Sequence, residues 1–134
     1  MPLTEQQRAF LDQPLNAIVA TLRGDGLPSQ SVVWYLREGD AIWMSVSPES
    51  VKAQHLRRDP RVSVLVLGAD GFAYLRLEGA AELAGEVSDA MRLDLLTKYR
   101  GAEGARAWMV SHPLPAPNAC IRITPDRVIG HRLP

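Results

Sequence analysis

The chain of 134 residues has one cysteine, Cys120, which excludes an internal disulfide and any zinc site built from cysteines. It has no net charge: fifteen basic side chains offset fifteen acidic ones. Nothing in bulk therefore draws it to nucleic acid or to an anionic membrane, and any anion site must be local. Apolar runs stay well short of the roughly 20 residues that cross a bilayer. The opening MPLTEQQRAFLDQPL lacks the basic start and apolar stretch of a signal peptide. A cytoplasmic protein with no membrane or nucleic-acid partner is the expectation. The three histidines, His55, His112 and His131, form no i, i+4 pair, so no metal site is expected. Gly-x-Ser-x-Gly and Cys/His nucleophile patterns are absent too, as are repeats and low-complexity segments.

What remains is an ordinary globular composition, 46% hydrophobic and 22% charged, of a length suited to one domain over residues 1–134. TEQQRAFLDQ carries a capping-box pattern, Thr4 with Gln7, and predicts a leading helix. NAIVATLR reads as a strand, GDGLP as a hairpin turn and SQSVVWYLR as a second strand, with EGD turning the chain into AIWMSV. RVSVLVL is a fourth strand, and FAYLRLEGAAEL a fifth, in which Gly79 marks a bulge or bend. SDAMRLDLLTKYR is an amphipathic helix capped by Ser88, with Met91, Leu95 and Tyr99 along one face, and GARAWMV adds a helical turn. After the irregular SHPLPAPN, the segment ACIRITPDRVIGHRL reads as two strands around a TPD turn. This order predicts a mainly β fold: six to seven antiparallel strands in a small barrel with inserted helices. Trp34, Tyr35, Trp43 and Tyr74 fall in strands as core or dimer contacts, with one or two placed to stack on a planar ligand.

Lysine is scarce: Lys52 and Lys98 stand against thirteen arginines. Lys52 lies early in a helix that follows the third strand and stops at Asp59-Pro60, since a residue before proline is pushed out of helical geometry. Ser47 fits the N-cap, Pro48 the first helical position and Ser50 the third, beside unpaired backbone N–H groups. A cation there opposes the helix dipole unless an anion is bound. Two readings follow. Either Lys52 is a solvated charge and Glu49 alone answers the dipole, or Lys52 faces a phosphate.

The segments ATLRGDGLPSQSVVWYL, SVSPESVKAQHLRRDPRVSVLV, LRLEGAAEL, LLTKYRG and IRITPDRVIGHRL together resemble the pyridoxamine 5′-phosphate oxidase-like split β-barrel family. The most similar branch is its small flavin- or deazaflavin-dependent oxidoreductases. The resemblance implies that Ser47, Ser50, Val51 and Lys52 grip a cofactor phosphate. It implies that Ser31, Val32, Val33 and Trp34 lie along the cofactor ring, and that a homodimer holds each cofactor between subunits. Many relatives carry Arg where Ser50 stands and Pro where Val32 stands. Both departures are compatible with the deazaflavin branch and with FMN; it is the overall resemblance to the deazaflavin branch that puts coenzyme F420 ahead of FMN as the expected cofactor. The expected function is reduction of a small conjugated or heteroaromatic substrate, with no acid or base assigned. The rival reading is a non-catalytic flavin- or haem-binding protein of the same fold.

Overall fold

A computed structural model describes residues 2–134 of the chain. The elements run α1 (Glu5–Leu11), β1 (Ala17–Leu22), β2 (Pro28–Val33), β3 (Leu36–Glu38), β4 (Ala41–Val46), α2 (Val51–Arg58), β5 (Arg61–Leu67), β6 (Tyr74–Glu86), α3 (Asp89–Ser111) and β7 (Ala119–His131). The seven strands form one antiparallel sheet in the order β2-β1-β5-β6-β7-β4-β3. The expected mainly β architecture, a small split barrel with helices between strands, is therefore present. Its interior is filled from β1, β4, β5, β6 and β7, with Val19, Met44, Val64, Leu77, Ile121 and Ile123 wholly or almost wholly buried. Phe10 and Leu11 from α1, and Ala53 and Leu56 from α2, join the same cluster.

α1 opens with the reciprocal bonds its sequence promises: the Thr4 hydroxyl accepts from the Gln7 N–H, and the Gln7 side chain accepts from the Thr4 N–H. Other expectations are corrected. SQSVVWYLR is not one strand, because the chain leaves the ladder at Trp34 and Tyr35 and re-enters as β3. There the Tyr35 N–H donates to the Tyr99 hydroxyl at 3.3 Å, and its carbonyl accepts from Lys98 Nζ at 3.1 Å. Side chains of α3 thus serve both peptide groups of the buried Tyr35 where the ladder is missing. The TPD segment is not a turn. β7 runs through it, and the register slips from Glu78↔Arg127 to Gly79↔Pro125, leaving Asp126 as an extra residue in a bulge. Glycine at 79 relieves crowding opposite the bulge, since a Cβ there would lie 3.1 Å from the Thr124 carbonyl oxygen. β6 starts at Tyr74 rather than Phe72 and extends to Glu86. α3 covers both expected helical segments, broken at Gly101, whose φ of 78° only glycine adopts readily.

β2 and β3 end the sheet on opposite sides, yet only Trp34 and Tyr35 separate them in the chain. The sheet therefore curls back on itself and leaves an unpaired seam between its two edges. α3 lies over the outer face of β4 and β7, where Trp43 and Cys120 pack with Val87 and Leu95 as a second apolar cluster. Among the described residues no helix is long and apolar enough to cross a membrane.

Candidate functional site

Beside the seam a groove of about 540 Å³ opens between β2, β4, α2 and α3. Val32, Val33 and Trp34 form one wall and Ser45 and Val46 another, with Leu95 from α3 and Ser47, Ser50 and Lys52 at the start of α2. Six of the eight residues expected to hold a cofactor are thus brought together. The other two are not in its lining. Ser31 stands opposite Val19 on the inward face of the sheet, and the Val51 side chain points to solvent.

The start of α2 is shifted from the expected register. Ser50, not Ser47, is the N-cap: its hydroxyl accepts from the Ala53 N–H at 3.2 Å. Val51 is then the first helical residue and Lys52 the second, so Lys52 sits inside the first turn. Pro48 lies in a preceding turn closed by the Ser50 N–H on the Ser47 carbonyl. Among the described residues, the N–H groups of Val51 and Lys52 have no backbone or side-chain partner, and no carboxylate pairs with the Lys52 ammonium. Two free donors, a hydroxyl and a cation at a helix N-terminus are the ingredients of an anion site.

α2 is seated by a buried polar pair, Thr21 Oγ1 and His55 Nδ1 at 2.9 Å. His55 is thereby a packing residue. Among the described residues no group of three His, Cys, Asp or Glu side chains is placed to hold a metal ion. Arg57 folds back along its helix to donate to the Pro48 carbonyl at 2.9 Å, and Gln54 donates to that of Glu49 at 3.1 Å. These contacts pin the turn before α2.

Trp34 is held on the groove wall by Tyr99, which stacks on it at 4.3 Å and 3° from parallel, and by an Nε1–H bond to Asn16 at 3.2 Å. One indole face is therefore already covered, and Trp34 is a wall of the groove rather than an open platform. Sequence reasoning missed Ser45, Leu95, Asn16 and Arg57. Ser45 had a legible signal: it alternates with Trp43 on the outer face of β4, next to the expected phosphate residues. The others act across distances that local pattern does not encode.

Lys98 braces the break behind Trp34. Its ammonium donates to the Leu11 carbonyl at 2.8 Å as well as to Tyr35, and lies 3.8 Å from the centre of the Tyr35 ring. Burial holds its pKa down to about 8; the Asp12 carboxylate opposes that shift and the Arg37 guanidinium adds to it. The unfolded chain keeps the ordinary value of 10.5. Between the two values the unfolded state binds a proton that the folded state sheds, so this group makes stability rise with pH from about 8. Tyr35 and Tyr99, whose pKa values burial raises, act in the opposite sense above about pH 10. Urea unfolding at about pH 7.5 and about pH 9.5 should therefore show wild type gaining roughly 1 kcal/mol over Lys98→Met, after allowance for solvent screening. Parallel behaviour of the two proteins would contradict this.

The sequence pattern of pyridoxamine 5′-phosphate oxidase matches residues 3–132. Solved structures share the fold. A conserved hypothetical protein of Mycobacterium tuberculosis is 26% identical with a TM-score of 0.76, over 96% of this chain and 84% of that one. An F420 reductase is 22% identical with a TM-score of 0.74, over 95% of this chain and 98% of that one. General stress protein 26 of Bacillus anthracis is 20% identical with a TM-score of 0.69, over 94% and 91%. With the match running from Leu3 to Arg132 across all seven strands, the chain belongs to the pyridoxamine 5′-phosphate oxidase family.

Proposed function

We propose that the groove binds coenzyme F420 and that the chain, as one cofactor-binding domain, is an oxidoreductase acting on a small conjugated or heteroaromatic substrate. One observation carries the reading: Lys52, Ser50 and two unpartnered N–H groups converge at one end of a groove walled by the edge strand β2. A phosphate at that end would meet the N–H groups of Val51 and Lys52, the hydroxyls of Ser47 and Ser50, and the Lys52 ammonium. The ring would lie along Ser31 to Trp34. An edge strand has backbone N–H and C=O groups free of the ladder, and these can pair with ring nitrogens and oxygens. Such a cofactor supplies hydride or electron transfer from its ring, while the protein orients it and excludes water.

The choice of F420 over FMN rests on charge. A phosphodiester, as in F420, carries one negative charge; a phosphomonoester, as in FMN, carries closer to two at neutral pH. One ammonium, with serine rather than arginine at position 50, suits the smaller charge. The likeness to an F420 reductase points the same way. The test is a visible spectrum of the purified protein followed by fluorescence titration with F420 and FMN. Tighter binding of F420, and substrate reduction when it is supplied reduced, is the expected result. Stoichiometric FMN that F420 fails to displace would move the chain to an FMN-dependent role.

A second copy of the chain would complete the groove. Ile18, Val32 and Leu65 lie side by side across β1, β2 and β5 on the outward face. Val32, at the rim of the groove, is 65% exposed, as expected of a residue awaiting a partner surface. Light scattering should give twice 14.7 kDa, with an obligate-type interface above about 2,000 Å². A cofactor-loaded monomer at micromolar concentration would contradict this.

A further inference from the structure

The turn that leads into α2 already holds a carboxylate. The Ser47 hydroxyl donates to the Glu49 carboxylate at 2.8 Å and accepts weakly from the Glu49 N–H at 3.4 Å. Its single proton is therefore committed to an anion of the chain's own, at the end of the groove that also presents Ser50 and Lys52. Arg57 and Gln54 hold the Pro48 and Glu49 carbonyls, so the backbone of the turn is tied down from the helix. The Glu49 side chain is not tied in that way, and its other surroundings are open. A cavity of about 290 Å³ separates the turn from the Leu114–Asn118 loop.

We propose that Glu49 is a built-in competitor for the cofactor phosphate, a specificity-determining residue that must release the Ser47 hydroxyl before an anion can use it. The proposal rests on the phosphate-binding reading of the groove. Binding would then proceed by rotation of one exposed side chain over a fixed turn. The Ser47 proton passes from the Glu49 carboxylate to a phosphate oxygen as a hydrogen bond, and the carboxylate moves toward the cavity beside the 114–118 loop. Only anions that gain enough from Lys52 and the helix N-terminus displace the glutamate, which raises the threshold for weakly bound anions.

The test compares wild type, Glu49→Gln, Ser47→Ala, Lys52→Ala and the Ser47→Ala/Glu49→Gln pair, titrated with F420 and with FMN by fluorescence. Glu49→Gln removes the charge and leaves the Ser47 hydroxyl only a neutral, weaker acceptor, so the double substitution is essential to separate the two effects. Competition for one hydroxyl predicts about 3- to 10-fold tighter binding in Glu49→Gln and little or no gain when Ser47 is already alanine. Equal gains in both backgrounds would reduce Glu49 to a distant repelling charge and overturn the proposal. Unchanged or weaker binding in Glu49→Gln would overturn it as well. Failure of the underlying reading has a different signature: Lys52→Ala would then bind as wild type does, and the proposal about Glu49 would fall with it.

Discussion

Lys52→Ala should weaken F420 binding by about 10- to 150-fold and leave the melting of the cofactor-free protein nearly unchanged. The affinity change corresponds to the roughly 1.5–3 kcal/mol of a charge-assisted hydrogen bond. No carboxylate among the described residues pairs with Lys52, so its removal strands no charge. The helix itself should be stabilised slightly, because a cation leaves its positive end. This separation of affinity from stability is what a purely structural lysine would not show. Arg57 is an unsuitable charge control, since its guanidinium sits on the Pro48 carbonyl and holds the turn. Arg106, exposed on the second half of α3, serves instead: Arg106→Ala should leave both quantities as they are. Unchanged affinity in Lys52→Ala would make that lysine a solvated surface charge.

The largest loss of stability is expected at Trp43. Only 2% exposed, it lies between β4 and α3 with Val87, Leu95 and Cys120, flanked by Trp34, Leu36, Met91 and Tyr99. Trp43→Ala removes most of the filling of that layer and should destabilise by about 3–5 kcal/mol. At this chain length that is a fall in Tm of roughly 10–20 °C, compared at one fixed protein concentration. Leu95 belongs both to this cluster and to the groove, so the groove should loosen as well. Trp108, partly exposed and stacked on His112 near the end of α3, is the comparison: Trp108→Ala should cost far less. Calorimetry showing a loss under about 1 kcal/mol for Trp43→Ala would mean that α3 is not docked through this residue.

What could be read in the sequence follows the reach of its signals. The Thr4–Gln7 box is complete within four residues, and the structure forms it as written. The helix at Lys52 was legible, but its register was not. Ser-Pro-Glu-Ser offers two capping serines, and proline's fitness for the first helical position favours the wrong one. The structure instead spends Pro48 and Glu49 on a turn, which leaves Ser50 to cap. The break at Trp34 and Tyr35 was invisible because Lys98 and Tyr99, which serve the Tyr35 backbone, lie more than sixty residues away in the chain. The TPD segment misled for a related reason. Proline and aspartate mark turns in isolation, whereas Gly79 on the facing strand makes room for a bulge at the same residues. The groove was legible where its residues are consecutive, at 32–34 and 47–52. It was illegible where α3 supplies Leu95 and Tyr99 from a distance.

The most direct measurement is a crystal structure of the protein with F420 bound. The expected result places the phosphate in hydrogen-bond contact with Ser50, Lys52 and the first N–H groups of α2, and the ring along Val32, Val33 and Trp34. A cofactor lodged instead on the outward face over Ala20, Leu22 and Ser63, in the cavity of about 490 Å³ there, with Lys52 free in solvent, would contradict it.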